Sequence, residues 1–464
     1  MHYNINNIYT EAIGTEEELQ ALKDKFTFQY PYWQRTKGNK PQLKFRMLCY
    51  CKYNKFPTGW ISRVLTKNDT YEDNRVASEH KQYLTPNIYD LRPEYQIPAI
   101  EVAKKAGRGI IHHCTGSGKT VIMAHLIQEF PYKTLILVPS LNLLNQNYNE
   151  MSNFFGEDYV GKIGEGSWNP SIITISTVQT LWSHMKKESP ELKEFFKEVN
   201  MLLIEEAHHI NTGSYTLQNS YFKICMHLNA YYRFGLTATP GDLNSIERDL
   251  LEGVTGKVLH EVKSSELIKW GYLTQPKIKM IDCFMNPIND WKLAYERNIL
   301  ENKDRNQKIV RAAQHYEKEG KSVLITVTRV KKHGRVLLEA LPSARFMSGA
   351  TSSTEREKIL KDFKDKKFHI LISTVVNEGV NIPAMDVIIL AGGGRSDKMT
   401  IQRVGRVLRK SDGKDEAVII DFFDKDRSIL QKHSQSRLRL YKKEEQYEIE
   451  LNSEVLNESR QETI

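Results

Sequence analysis

Ten residues from Ile111 to Thr120, Ile-His-His-Cys-Thr-Gly-Ser-Gly-Lys-Thr, carry the side chains needed to hold a polyphosphate. Gly116 and Gly118, with Ser117 between them, let the backbone turn tightly, so that successive amide N–H groups point at phosphate oxygens. Lys119 can reach the β- and γ-phosphates, and the Thr120 hydroxyl can hold Mg²⁺. The apolar Gly109-Ile110-Ile111 precedes the loop and the helical pattern Val121–Ile127 follows it. Strand, glycine loop and helix in that order bring the positive end of a helix dipole to the phosphates. One residue is out of pattern: His113 stands where such a loop usually opens on a small residue.

A second chemical group lies downstream. The apolar run Met201–Ile204 ends in Glu205-Glu206-Ala207-His208-His209. Acids at the C-terminal end of a parallel strand sit where such sheets bind ligand. One carboxylate there can hold Mg²⁺ through water and its neighbour can orient an attacking water. Tyr232–Pro240 reads as a further strand and turn, containing Thr237-Ala238-Thr239. Upstream, Gln96 carries a donor and an acceptor suited to the edge of adenine. Near the C-terminus, helical spacing puts Gln402, Arg406 and Arg409 on one face. Guanidinium groups on such a face can stabilise the charge that develops on a γ-phosphate.

These groups need a scaffold of parallel strands. Thr134–Pro139, Ile172–Ser176 and Met201–Ile204 read as buried strands, with a helix from Leu141 to Tyr148 between the first two. A second series follows at Lys321–Thr326, Phe368–Ser373, Asp386–Leu390 and Ala417–Asp421, without a phosphate loop of its own. Ahead of both, residues 1–87 read as a small α/β domain. It has a helix over Glu16–Lys23 capped by Thr15, strands at Phe26–Tyr30 and Lys44–Cys51, and a turn at Lys37–Pro41. The polar Thr66–Arg75 reads as a loop or linker. Beyond His433 the mixed charges read as a solvated helix or a frayed end.

With 464 residues the chain is long enough for two or three domains. Its net charge of +9 is unevenly spread. Between Ala21 and Lys67 eleven Lys and Arg side chains face Asp24 alone, and the rest of the chain is close to neutral. Tyr32, Trp33, Arg35 and Lys37 set aromatic rings beside those cations, a combination suited to phosphates and bases. The rings also suit a small aromatic core. No apolar stretch reaches membrane-spanning length and no leader is evident. Five cysteines without a C-x-x-C pair predict reduced thiols and a cytoplasmic setting, the host cytoplasm for a viral chain.

Taken together, the motifs resemble those of the superfamily 2 helicases. Gln96 matches the adenine-reading motif, Gly116–Thr120 the Walker A loop and Glu205-Glu206-Ala207-His208 the Walker B box. Thr237-Ala238-Thr239 matches the motif coupling nucleotide to nucleic acid, and Gln402–Arg409 matches motif VI. Thr374–Pro383, with Gly379, resembles motif V, which touches nucleotide and nucleic-acid backbone. Ser348–Thr351 sits where the family grips phosphates. Two positions depart from the family: Glu205 and Asn381 each replace an Asp.

The resemblance implies an α/β fold of two tandem RecA-like parallel-sheet domains behind the small N-terminal domain. Residues 88–262 would bind ATP, 263–435 would supply the arginine finger, and 436–464 would form a tail. ATP and Mg²⁺ are the implied cofactors, with Lys119, Glu206, Arg406 and Arg409 catalytic. Gln96, Gly116–Thr120 and Gly379 would contact the nucleotide, and Thr120 and Glu205 the metal. A compact core behind a small basic domain is most similar to the UvsW-type phage recombination helicases, which implies action on forked or branched DNA. An RNA helicase, or a nucleic-acid binder with a weakened motor, are the alternatives.

Overall fold

The protein is described by a computed structural model covering residues 1–34, 42–210, 217–243, 245–375, 385–394, 404–405, 407–410, 414, 416–425 and 429–451. It divides into two units: Met1–His113 with Gly118–Glu261, and Cys114–Ser117 with Val262–Ile464.

The N-terminal module of the first unit is built on an aromatic core. Thr15 caps the helix Glu16–Lys25: its hydroxyl accepts from Glu18 N, and the Glu18 carboxylate accepts from Thr15 N at 2.9 Å. That capping box fixes where the helix starts. The helix buries Leu22 against Tyr3, Phe26, Phe56 and Trp60, with Phe26 and Trp60 stacked at 4.6 Å. Four strands run in the order Lys55–Pro57, Tyr9–Ile13, His2–Ile5, Thr70–Asp73. The last of these corrects the reading of Thr66–Arg75 as a linker. Its four residues are exposed, yet they pair in parallel with His2–Ile5, so backbone hydrogen bonds rather than apolar side chains hold it. A separate hairpin pairs Thr27–Gln34 with Gln42–Cys49 and exposes Lys44, Phe45, Arg46 and Met47. Arg35, Lys37, Lys40 and the turn at Lys37–Pro41 lie outside the described residues.

The module is fixed to the rest of its unit through the helix Ile246–Thr255. Trp60 Nε1 donates to Asp249 O at 2.7 Å, and Arg63 pairs with Asp249 and Glu252 at 2.7 and 2.6 Å. Gly59 lets the two backbones touch, since a Cβ there would lie 2.0 Å from Glu252 O.

The eight strands of the first main sheet run Ser167–Asn169, Val160–Gly164, Ile173–Thr177, Thr134–Val138, Met201–Glu205, Tyr232–Thr237, Arg108–His113, Val258–Val262. The central strands pair in parallel and are buried on both faces, as their unbroken apolar runs require. Helices cover each face, one over Ile111, Ile136 and Leu203 and the other over Leu135, Leu202 and Ile204.

In the second unit seven parallel strands run Arg345–Met347, Ile370–Ser373, Val323–Thr326, Val387–Ile389, Ala417–Lys425, Pro276–Phe284, Glu448–Leu451. Its end corrects a second expectation. The helix Ile429–Tyr441 is not solvated beyond His433, for Ser434, Arg437 and Tyr441 are buried, and Glu448–Leu451 adds an edge strand. The charge of Arg437 suggests a surface, but Asp421 on the adjoining strand neutralises it. Among the described residues no helix is long and apolar enough to cross a membrane.

Candidate nucleotide site

Parallel pairing brings the chemical groups of the first unit to one edge of its sheet. Glu205 pairs in register with Leu236, and Thr237 with His112, so three strands end together at their C-terminal side. The loop after Arg108–His113 has left-handed backbone at Gly116 (φ +86°) and Gly118 (φ +77°), which an L side chain would strain. Gly118 is the N-cap of the helix Lys119–Glu129, and no side chain caps that end. The first-turn amides therefore face the loop, as a phosphate site requires.

Gln96 comes to this loop from the start of the helix Gln96–Ala106. It is 2% exposed, its Oε1 accepts from Arg92 N at 2.9 Å, and its Nε2 lies 2.7 Å from where a Cβ on Gly118 would stand. Gly118 is thus required twice, by its backbone angle and by the approach of Gln96. Lys119 Nζ donates to the His113 carbonyl at 3.2 Å, and Ser117 is buried while Thr120 is half-buried in the helix's first turn.

His113 is explained by its surroundings. Its ring packs edge-on against Tyr95, and its Nε2 shares a 2.9 Å hydrogen bond with His260 Nδ1. Burial, with His260 and Lys119 nearby, pushes its pKa down to about 2, so the ring is neutral. The side chain fills the core while its carbonyl serves the lysine.

The acids stand side by side. Glu205 closes its strand, 7% exposed, and Asn147 Nδ2 donates to its carboxyl. Burial first, then the charge of Glu206, raises the Glu205 pKa to about 8. Such a carboxyl suits a divalent cation, which would supply the missing positive charge. Among the described residues no cluster of three or more His, Cys, Asp or Glu could hold a metal. Mg²⁺ bound chiefly by phosphates and water needs no such cage, so Thr120 and Glu205 fit it.

Glu206 has left-handed backbone (φ +48°), and its carboxylate is 3.4 Å from His208 Nδ1. That same nitrogen is 3.0 Å from Thr237 Oγ1, which accepts from Thr239 N at 3.1 Å. A polar chain therefore links the acidic pair to Thr237-Ala238-Thr239. Asn147 is absent from the sequence reading. Its one signal is an amide on the apolar face formed by Leu143, Leu144, Met151 and Phe155.

In the second unit Arg409 is half-buried and bridges antiparallel to Leu273, while Thr274 N donates to Leu408 O at 2.9 Å. Ser348–Thr351 forms a tight turn in which Ser348 N donates to Thr351 Oγ1 at 3.0 Å. Gly379, Asn381, Gln402 and Arg406 lie outside the described residues.

A glycine loop, an uncapped helix start and paired acids at the end of one strand define a nucleoside-triphosphate-driven protein of RecA-like architecture. A family model described as type III restriction enzyme, res subunit, matches residues 86–242, and one described as helicase conserved C-terminal domain matches residues 304–411. The chain is 26% identical over 409 residues to a DNA 3'-5' translocase XPB2 of Sulfurisphaera tokodaii, covering 78% of this chain and 87% of that one. It is 24% identical over 457 residues to the ATP-dependent DNA helicase uvsW of Enterobacteria phage T4, covering 88% and 87%. The solved structure of S. cerevisiae Dbp5 bound to RNA and ADP BeF3 shares the fold, with a TM-score of 0.55, 16% identity, and coverage of 77% and 89%. The chain belongs to the superfamily 2 helicases and is an ATP-driven enzyme acting on nucleic acid.

Proposed function

We propose that this helicase works on DNA, and on forked or branched DNA in particular, in recombination, repair or replication. The observation that carries this reading is the basic N-terminal module, fixed through Trp60 and Arg63 to the helix that follows the Thr237-Ala238-Thr239 strand. A cationic module rigidly joined to a motor domain can hold one arm of a junction while the motor moves along another. The names of the XPB2 and uvsW relatives point to DNA in the same direction.

In this reading Gln96 holds the adenine edge and the Gly116–Thr120 amides and Lys119 hold the phosphates. Thr120 and Glu205 would hold Mg²⁺, which would supply positive charge against the phosphates. Glu206 accepts the proton of the attacking water, and its contact to His208 reports the nucleotide state to Thr237. Arg406 and Arg409 stabilise the charge developing on the γ-phosphate, with Gly379 beside the nucleotide. The test is strand displacement on forked, four-way and blunt duplex DNA and on duplex RNA with ATP. Preference for forked and four-way DNA is expected. Equal action on blunt duplexes would overturn the branched-DNA reading, and preference for RNA would overturn DNA as substrate.

A further inference from the structure

The loop Ala391–Gly394 has its carbonyls held by donors from three separate elements. Arg305 Nη1 donates to Ala391 O at 2.6 Å, Tyr295 OH to Gly392 O at 2.7 Å, and Arg437 Nη1 to Gly394 O at 2.6 Å. Gly393 and Gly394 supply the left-handed backbone (φ +57° and +98°) this arrangement needs. Both arginines are buried and ion-paired. Arg305 is fully buried against Asp424, with Nε to Oδ1 at 3.1 Å. Arg437 is bidentate on Asp421 at 2.8 and 3.0 Å, and Tyr441 OH donates to the same carboxylate at 2.7 Å.

Two buried ion pairs are an inefficient way to stabilise a core, because desolvation offsets their attraction and apolar residues would serve as well. What they add here is direction: each guanidinium spends a remaining N–H on one short loop. In sequence, Gly394 precedes Arg409 by fifteen residues. On the far side of Arg409 the pattern recurs. Lys414 Nζ donates to Arg409 O at 2.9 Å and to Val407 O. Cations thus fix backbone carbonyls both ahead of the arginine segment, at Ala391 and Gly394, and within it, at Val407 and Arg409.

We infer that Arg437 with Asp421, and Lys414, are positioning residues that set the angle at which Arg409 is presented to the γ-phosphate. This rests on the proposed role of Arg409. None of the three touches the reacting atoms, so their effect falls on kcat rather than on the KM for ATP. A misplacement of about 1 Å lowers turnover by up to about 10²-fold.

The test is a mutant cycle in the full-length enzyme. Arg437→Met combined with Asp421→Leu removes both charges together, so that neither is left unpaired, though it also takes the partner of the Tyr441 hydroxyl, and Lys414→Met perturbs the other side alone. Each is made with Arg409 intact and with Arg409→Ala, and DNA-stimulated kcat, KM for ATP and thermal midpoint are measured. Expected is a fall in kcat of tenfold or more at unchanged KM, which disappears when Arg409 is already Ala, because the residues act through it. Lys414→Met keeps the test decisive should the paired replacement lower the thermal midpoint. Losses that multiply with that of Arg409→Ala would overturn the positioning role and leave Arg409 as assigned. Undiminished turnover in Arg409→Ala alone would instead overturn the reading beneath it.

Discussion

At the residue scale, charge and burial decide what each site residue can do. Glu205 keeps its proton up to about pH 8 in the metal-free protein. Its folded pKa is raised, so between its ordinary value and about 8 the unfolded chain gives up a proton that the folded chain keeps. Stability is therefore lost as pH rises through that window. Glu205→Gln, whose oxygen can still accept from Asn147, should make the metal-free protein more stable than wild type at pH 8, with the gain vanishing near pH 4.5. Chemical denaturation at the two pH values measures this, and equal stability at pH 8 would contradict the burial argument.

Two buried histidines act in the opposite sense. His113 and His333 are pushed down to about 2 and about 3, both by burial first. As pH falls below the ordinary histidine value the unfolded chain binds protons that these rings refuse, so stability is lost on acidification. His333→Gln, far in sequence from the phosphate loop, should make the decline between pH 7 and pH 5 shallower. An unchanged slope would count against it.

At the element scale, the sheets show what a sequence makes legible. Met201–Glu205 and Thr134–Val138 read as strands because burial on both faces demands continuous apolar runs, and the phosphate loop reads because its chemistry is local. Thr70–Asp73 carries no such signal: its partner, His2–Ile5, is far away in sequence and its side chains face water. Arg437 misleads for a related reason, since its neutralising carboxylate lies on another element. Asn147 shows only as an amide on an apolar face, and what it serves, Glu205, is a distant residue.

The joint between module and motor belongs to this scale too. Trp60 is fully buried between the module core and Asp249. Trp60→Ala should cost about 3–5 kcal/mol of unfolding free energy, read by denaturant titration. A loss below about 1 kcal/mol would mean the joint closes over the gap.

At the scale of the whole molecule, one chain carries both a triphosphate site and a cationic surface. Lys44 and Arg46 stand exposed on the module's hairpin strand. If they contact phosphates, Lys44→Glu with Arg46→Glu should weaken DNA binding and reduce the slope of log affinity against log salt by about 1–2. Parallel salt curves for mutant and wild type would remove the hairpin from the interface.

The most direct test of the motor itself is steady-state ATP hydrolysis without nucleic acid and with single-stranded, duplex, forked and four-way DNA and RNA, run beside Lys119→Ala. Expected are slow basal turnover, stimulation greatest with forked or four-way DNA, and near-complete loss in Lys119→Ala with DNA binding retained. Hydrolysis indifferent to every nucleic acid, or undiminished in Lys119→Ala, would contradict the motor reading.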